Sequence, residues 1–175
     1  MIPDFDDNGN LPPGFISPPL KDFENCFVDD FPESGTRGSI FEGYLKYCSI
    51  LSSLEIASLQ WINGSFTTNK LHPNDIDLVT HIDAVKLDSD GRFFLFLKNE
   101  LDHHRVKNIY KCDTYYIPLY PPDDPELYEL TKEKIKYWSK WFSHDRQQNA
   151  KGLIEFDLSD DSFNLNNCRG GVDVD

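Results

Sequence analysis

Apolar positions along the chain recur with two different periods, and each change of period marks an element. Between residues 38 and 56, Ile40, Phe41, Tyr44, Leu45, Tyr47, Cys48, Leu51 and Leu54 recur at three- and four-residue steps. That spacing predicts an amphipathic helix, with Ser34 or Thr36 placed to cap it. The period then shortens. Ser58 to Ile62 reads as a strand that ends in Asn63-Gly64-Ser65, and Asp75 to Ile82 reads as a second strand. Side chains alternate along a strand, so Ile76, Leu78 and Thr80 share one face of the second strand, and Asp75, Asp77 and Val79 share the other. Asn69, Pro73 and Asn74 supply turn signals between the two.

Residues 83 to 91 read as a loop punctuated by Asp90-Gly91. The helical step returns from 92 to about 104, where Phe93, Phe94, Leu97 and Leu101 form a stripe. A third strand is expected over Asn108 to Ile117, rich in Tyr and Ile. Pro118, Pro121 and Pro122 end it. A helix follows from Pro125 to Ser143, expected to bury Leu127, Leu130, Tyr137, Trp138 and Trp141. Gly152 to Leu158 reads as a last strand, and Leu20 to Val28 as a short early helix. Residues 1–22 carry Asn8-Gly9, Pro12-Pro13-Gly14 and Pro18-Pro19, which predicts a Pro-rich extended arm. Residues 23–158 then form the domain, and 159–175 an acidic tail. The expected fold class is α/β (more strictly α+β), a small mixed β-sheet packed by helices.

Composition narrows the partners. The chain has 175 residues, enough for one domain with its own core, and an apolar fraction of 39% excludes a disordered protein. Lys and Arg number 17 against 30 Asp and Glu, a formal net charge of −13. Such a surface repels phosphate backbones, which argues against extended nucleic acid and favours a basic protein partner. The four cysteines have no zinc-ligand spacing and read as reduced thiols, with Cys48 and Cys112 in the core. No signal-like start and no membrane-length apolar run is seen, so the expected location is cytoplasmic, with no membrane partner.

The chemistry concentrates between Trp61 and Val79. Gly64-Ser65 directly follows a strand. Glycine lets the backbone turn sharply there, and free N–H groups with the Ser65 hydroxyl would face an anion such as phosphate. Asp75 and Asp77, two apart on a strand, project side by side. Carboxylates held that close repel unless a cation lies between them, and Mg²⁺ or Mn²⁺ suits oxygen ligands of this kind. Asp113 lies on the third strand, sharing a face with Lys111 and Tyr115. A neighbouring position would let it complete a two-metal site and act as base on an incoming hydroxyl. His103-His104 reads as a polar helix end, and the Tyr and Trp residues of 115–141 mainly as core.

Gly64, Ser65, Asp75, Asp77 and Asp113 in this order resemble the nucleotidyltransferase superfamily, the polymerase-beta-like fold. The resemblance spans roughly Gly38 to Ile117 and is nearest to small bacterial members, among them minimal nucleotidyltransferases that act as antitoxins. It implies metal ligation by Asp75, Asp77 and Asp113, a nucleoside triphosphate such as ATP as substrate, and transfer of a nucleoside monophosphate to a hydroxyl. It also implies a partner protein, such as a basic toxin. Small members carry a base soon after Gly-Ser. Here Phe66-Thr67-Thr68-Asn69 intervenes, which leaves Lys70, Lys111 or Arg37 to hold the triphosphate with Gly64 and Ser65. The alternatives are an inactive module of the same fold that binds a partner protein, or a nucleotide sensor.

Overall fold

Five strands, β1 (Phe15–Ile16), β2 (Ala57–Asn63), β3 (Ile76–Asp83), β4 (Cys112–Leu119) and β5 (Leu153–Asp157), make one mixed sheet in the spatial order β1-β5-β2-β3-β4. The computed structural model describes residues 1–89, 102–160 and 163. The expected stripe of Phe93, Phe94, Leu97 and Leu101 lies outside these residues, as does the expected tail beyond Asp160 except for Phe163. The helices are α1 (Leu20–Glu24), which runs on as a π-helical turn over Asn25–Asp29, α2 (Arg37–Ser53), α3 (Ala84–Ser89), α4 (His103–Tyr110) and α5 (Pro125–Phe142). This is the expected α/β class.

β2 and β3 pair antiparallel, whereas β3 and β4 run parallel in unbroken register from Ile76↔Cys112 to Asp83↔Leu119. β5 pairs antiparallel with β2 and parallel with β1. The arm is tied into the domain rather than trailing from it. Leu11 is fully buried, and Phe15 and Ile16 add the edge strand.

The sheet has a different cover on each face. On one, Ile62, Ile76, Leu78, Cys112, Ile154 and Phe156 pack against α1, α2 and α4 through Phe23, Tyr44, Cys48, Leu51 and Val106. Gly43 lets α2 close on α4, because a Cβ there would lie 2.1 Å from the Tyr110 carbonyl oxygen. On the other face, Trp61, Val79, Ile117 and Leu153 meet Ile135, Trp138 and Phe142 of α5.

Four expectations change. The third strand begins at Cys112 and not at Asn108, because residues 108–110 complete α4. Lys111 ends that helix in a left-handed conformation (φ 60°), so it does not share a strand face with Asp113. Pro118 does not end β4 but lies within it. Its missing N–H is tolerated because β4 is an edge strand. The loop expected over 83–91 contains α3.

The fourth change concerns α5. Asp124 caps it by accepting from the Leu127 N–H at 3.1 Å, with Pro125 at the first position. Of the five residues expected to be buried, only Trp138 is half-buried; Leu127, Leu130, Tyr137 and Trp141 are exposed. Thr131, Ile135, Trp138 and Phe142 form the row against the sheet, and the other apolar row has no cover among the described residues.

Candidate functional site

The site forms where β2, β3 and β4 present side chains beside the Gly64 turn. Gly64 has φ +82°, a conformation that favours glycine. A Cβ there would lie 1.6 Å from Asp77 Oδ2, so the turn packs directly on that carboxylate. No helix starts at Ser65. The chain makes a short turn, with Thr68 Oγ1 donating to the Ser65 carbonyl at 2.8 Å. The Gly64 N–H is already used by Asn63 Oδ1 at 2.6 Å. Ser65 is half-exposed on this turn.

Asp77 and Asp113 are register partners on adjacent parallel strands, and both lie on the face that carries Val79, Tyr115 and Ile117. Asp75 precedes β3 on the same side. Burial, with Asp75 and Asp113 nearby, pushes the Asp77 carboxyl up to about 6. Lys107 answers this negative charge. Its Nζ lies 2.7 Å from Asp75 Oδ2 and 2.5 Å from Asp113 Oδ2, and those two bonds hold its own pKa well above the usual lysine value.

His103, one turn earlier on α4, places Nδ1 3.0 Å from Asp113 Oδ1. The approach has ion-pair distance without hydrogen-bond geometry, so both buried atoms lack a hydrogen-bond partner. Asp102 caps this helix by accepting from the Arg105 N–H at 2.7 Å, which makes His103 the start of a helix rather than its end. The Tyr115 ring lies tilted against His103, with centroids 5.3 Å apart. Burial and the neighbouring Asp113 push its hydroxyl up to about 12.

Lys151 approaches from the far side. It is almost fully buried, and its Nζ donates to the Gly64 carbonyl at 2.9 Å. Burial lowers its pKa to about 8, against the pull of Asp77. Asn63 Nδ2 donates to the Phe142 carbonyl, which joins the end of α5 to the same turn.

The bases expected to hold a triphosphate lie elsewhere. Arg37 is fully buried, and its guanidinium donates to the carbonyls of Phe27, Phe66, Thr68 and Lys70 at 2.7 to 2.8 Å. It also stacks over Phe31 at 3.9 Å. Burial lowers its pKa to about 10. Arg37 therefore pins the loop after Ser65 and has no surface left for a phosphate. Lys70 is exposed on that loop, and Lys111 is exposed at the end of α4.

A family model matches residues 3–157. The chain belongs to the DUF6932 family, a family of unknown function. No curated protein and no solved structure matches the chain. The matched span takes in the arm, the three carboxylates, Lys107 and Lys151. It ends with β5.

Among the described residues, no group of three or more His, Cys, Asp or Glu stands ready-made around a metal position. The donors nevertheless suit one. Asp75, Asp77 and Asp113 offer hard carboxylate oxygens, and Asp113 Oδ1 is buried without a hydrogen-bond partner. Lys107 Nζ already neutralises two of them, Asp75 and Asp113. No helix among the described residues is long and apolar enough to cross a membrane.

Proposed function

We propose that the chain is an Mg²⁺- or Mn²⁺-dependent nucleotidyltransferase that moves a nucleoside monophosphate from a triphosphate to a hydroxyl on a partner protein. The observation that carries this reading is the packing of Gly64 on Asp77, with Asp77 paired to Asp113 and Asp75 alongside. Asp75, Asp77 and Asp113 would hold the cation, which supplies charge neutralisation for the phosphate oxygens.

Ser65, with its own N–H and hydroxyl, receives the phosphates. The buried ammonium of Lys151 stabilises the turn from behind. Asp113 takes the proton from the acceptor hydroxyl. The acceptor oxygen bonds to the α-phosphorus, the bond from that phosphorus to the bridging oxygen breaks, and pyrophosphate leaves. The net charge of −13 favours a basic partner, such as a toxin neutralised in the cytoplasm.

One observation favours a second reading. Lys107 already neutralises Asp75 and Asp113, as it would in an inactive module of this fold that binds a partner without chemistry. Each labelled triphosphate, given with Mg²⁺ or Mn²⁺, separates the two. Pyrophosphate release that falls at least about a thousandfold in Asp77→Asn is the expected result. Failure of the wild-type chain to bind or turn over any triphosphate, alone or with a basic partner, overturns the transferase reading and leaves the module.

A further inference from the structure

α5 carries a second apolar row that nothing described covers. Leu127, Leu130, Lys134, Tyr137 and Trp141 recur at alternating three- and four-residue steps, so they form one stripe along the helix. Tyr137 is 55% exposed and Trp141 67% exposed. Their rings lie nearly parallel, 12° apart in plane. The two apolar rows adjoin, so α5 is built to pack on both sides while the sheet covers only one.

The charges beside the stripe run in opposite senses along the helix. Glu126 flanks its first turn and Lys140 its last, and Glu133 with Lys134 marks the middle. No described residue forms an ion pair with Lys134 or Lys140. Reversing the helix and laying it against itself about Lys134 brings Glu126 within two residues of Lys140 at both ends, with Lys134 on the two-fold axis. The same operation sets Leu127 beside Trp141, Leu130 beside Tyr137, and Glu133 beside Lys134. The row is thus complementary to its own reverse, as a two-fold interface requires.

The surface beyond Leu127 adds a third, independent match. A shallow depression of about 450 Å³ opens there, with Val85, Tyr120, Pro121 and Leu127 as its apolar lining and Asp88, Asp123 and Asp124 as its acidic lining. An apolar floor with carboxylates beside it suits an indole that follows a lysine. Lys140-Trp141 is that pair, and antiparallel pairing delivers it to Leu127.

We infer that α5 is a homodimer interface in which a second copy packs antiparallel on this stripe, each Trp141 entering the depression beside the other copy's Leu127. The inference stands independently of the transferase reading. One pair of 18-residue helices is only about 27 Å long and buries less than a standard interface, so the dimer is concentration-dependent.

Sedimentation velocity from roughly 1 to 200 µM tests it, that range spanning weak self-association. The wild-type chain is expected to shift from monomer to dimer across this range. Trp141→Asp, at an exposed position, should weaken association at least about thirtyfold while leaving the circular-dichroism melt unchanged. Glu126→Lys and Lys140→Glu should each weaken it several-fold, and the two together should restore it. A wild-type chain that stays monomeric throughout overturns the inference and assigns the stripe to a different partner. So does a dimer unaffected by Trp141→Asp, or a double charge reversal that associates no better than the single ones.

Discussion

The two faces of the sheet are finished to different degrees. Behind α1 and α2, every large side chain has found a place. Phe23, Phe27, Tyr44 and Phe66 are fully buried, and the Tyr44 hydroxyl among them is paired. Tyr44 donates to Gln60, and Gln60 to Thr80, at 2.9 and 3.0 Å. Under α5 the same strands turn out Asp77 and Asp113 with Asp75 beside them, His81 Nε2 and Asp113 Oδ1 are buried without a hydrogen-bond partner, and α5 itself leaves Tyr137 and Trp141 exposed. Two cations show the contrast most directly. Arg37 is enclosed and bonds only neutral carbonyls, whereas the half-exposed Lys107 holds two carboxylates together. The first face is spent on stability. The second gathers three carboxylates around one ammonium, a concentration of like charge of the kind that binding and reacting surfaces use.

Removing the enclosed cation should break this contrast with the largest effect. Arg37→Met leaves four carbonyls without their donor and frees the loop after Ser65, at a cost of about 4 kcal/mol or more. Urea unfolding should show that loss as a lower midpoint with an unchanged slope. A loss below about 1 kcal/mol would mean that the loop is held by something else.

A smaller effect of opposite sign is expected from the carboxylate face. The folded Asp77 carboxyl titrates near 6, above its ordinary value of 3.8. Its contribution to stability is therefore full below 3.8 and is lost as pH rises through about 6. Asp77→Asn should accordingly stabilise the fold by about 2 kcal/mol at pH 7.5, and the gain should vanish near pH 4. Thermal melts at both pH values test this. An equal or opposite change at the two would refute the charge argument. A residue whose removal stabilises the fold while abolishing transfer would be held for function.

The smallest effect sharpens the role of Lys107. Lys107→Met removes the cation between Asp75 and Asp113, so a divalent cation should bind roughly tenfold more tightly. Titration with Mn²⁺ followed by electron paramagnetic resonance reads this directly. Unchanged affinity would mean that the ammonium and the metal do not compete.

The elements that position the carboxylates were legible because period-two alternation is local. Ile76, Leu78 and Thr80 mark one face of β3, so Asp77 had to be on the other. Asp113 was legible as a strand residue, although its pairing with Asp77 depends on sheet order. Lys107 and His103 were not legible as site residues. α4 buries only Val106, so it has no apolar period to announce it, and its last turn resembled the start of a strand. Arg37 resembled a free base because nothing local shows that four carbonyls converge on it. α5 misled in another way. Its periodicity was genuine, but a helix apolar around half its circumference does not show which row meets the sheet.

One contact also sets a sequence of events in time. Lys151 holds the Gly64 carbonyl from 87 residues further along the chain, and the strand that follows it lies between β1 and β2. The gap in the sheet cannot close, and the turn cannot be braced, until β5 has left the ribosome. The arm must wait for β5, its partner strand. A nascent chain therefore has the strands that pair Asp77 with Asp113 before it has the brace for the neighbouring Gly64 turn, which arrives only with Lys151 and β5.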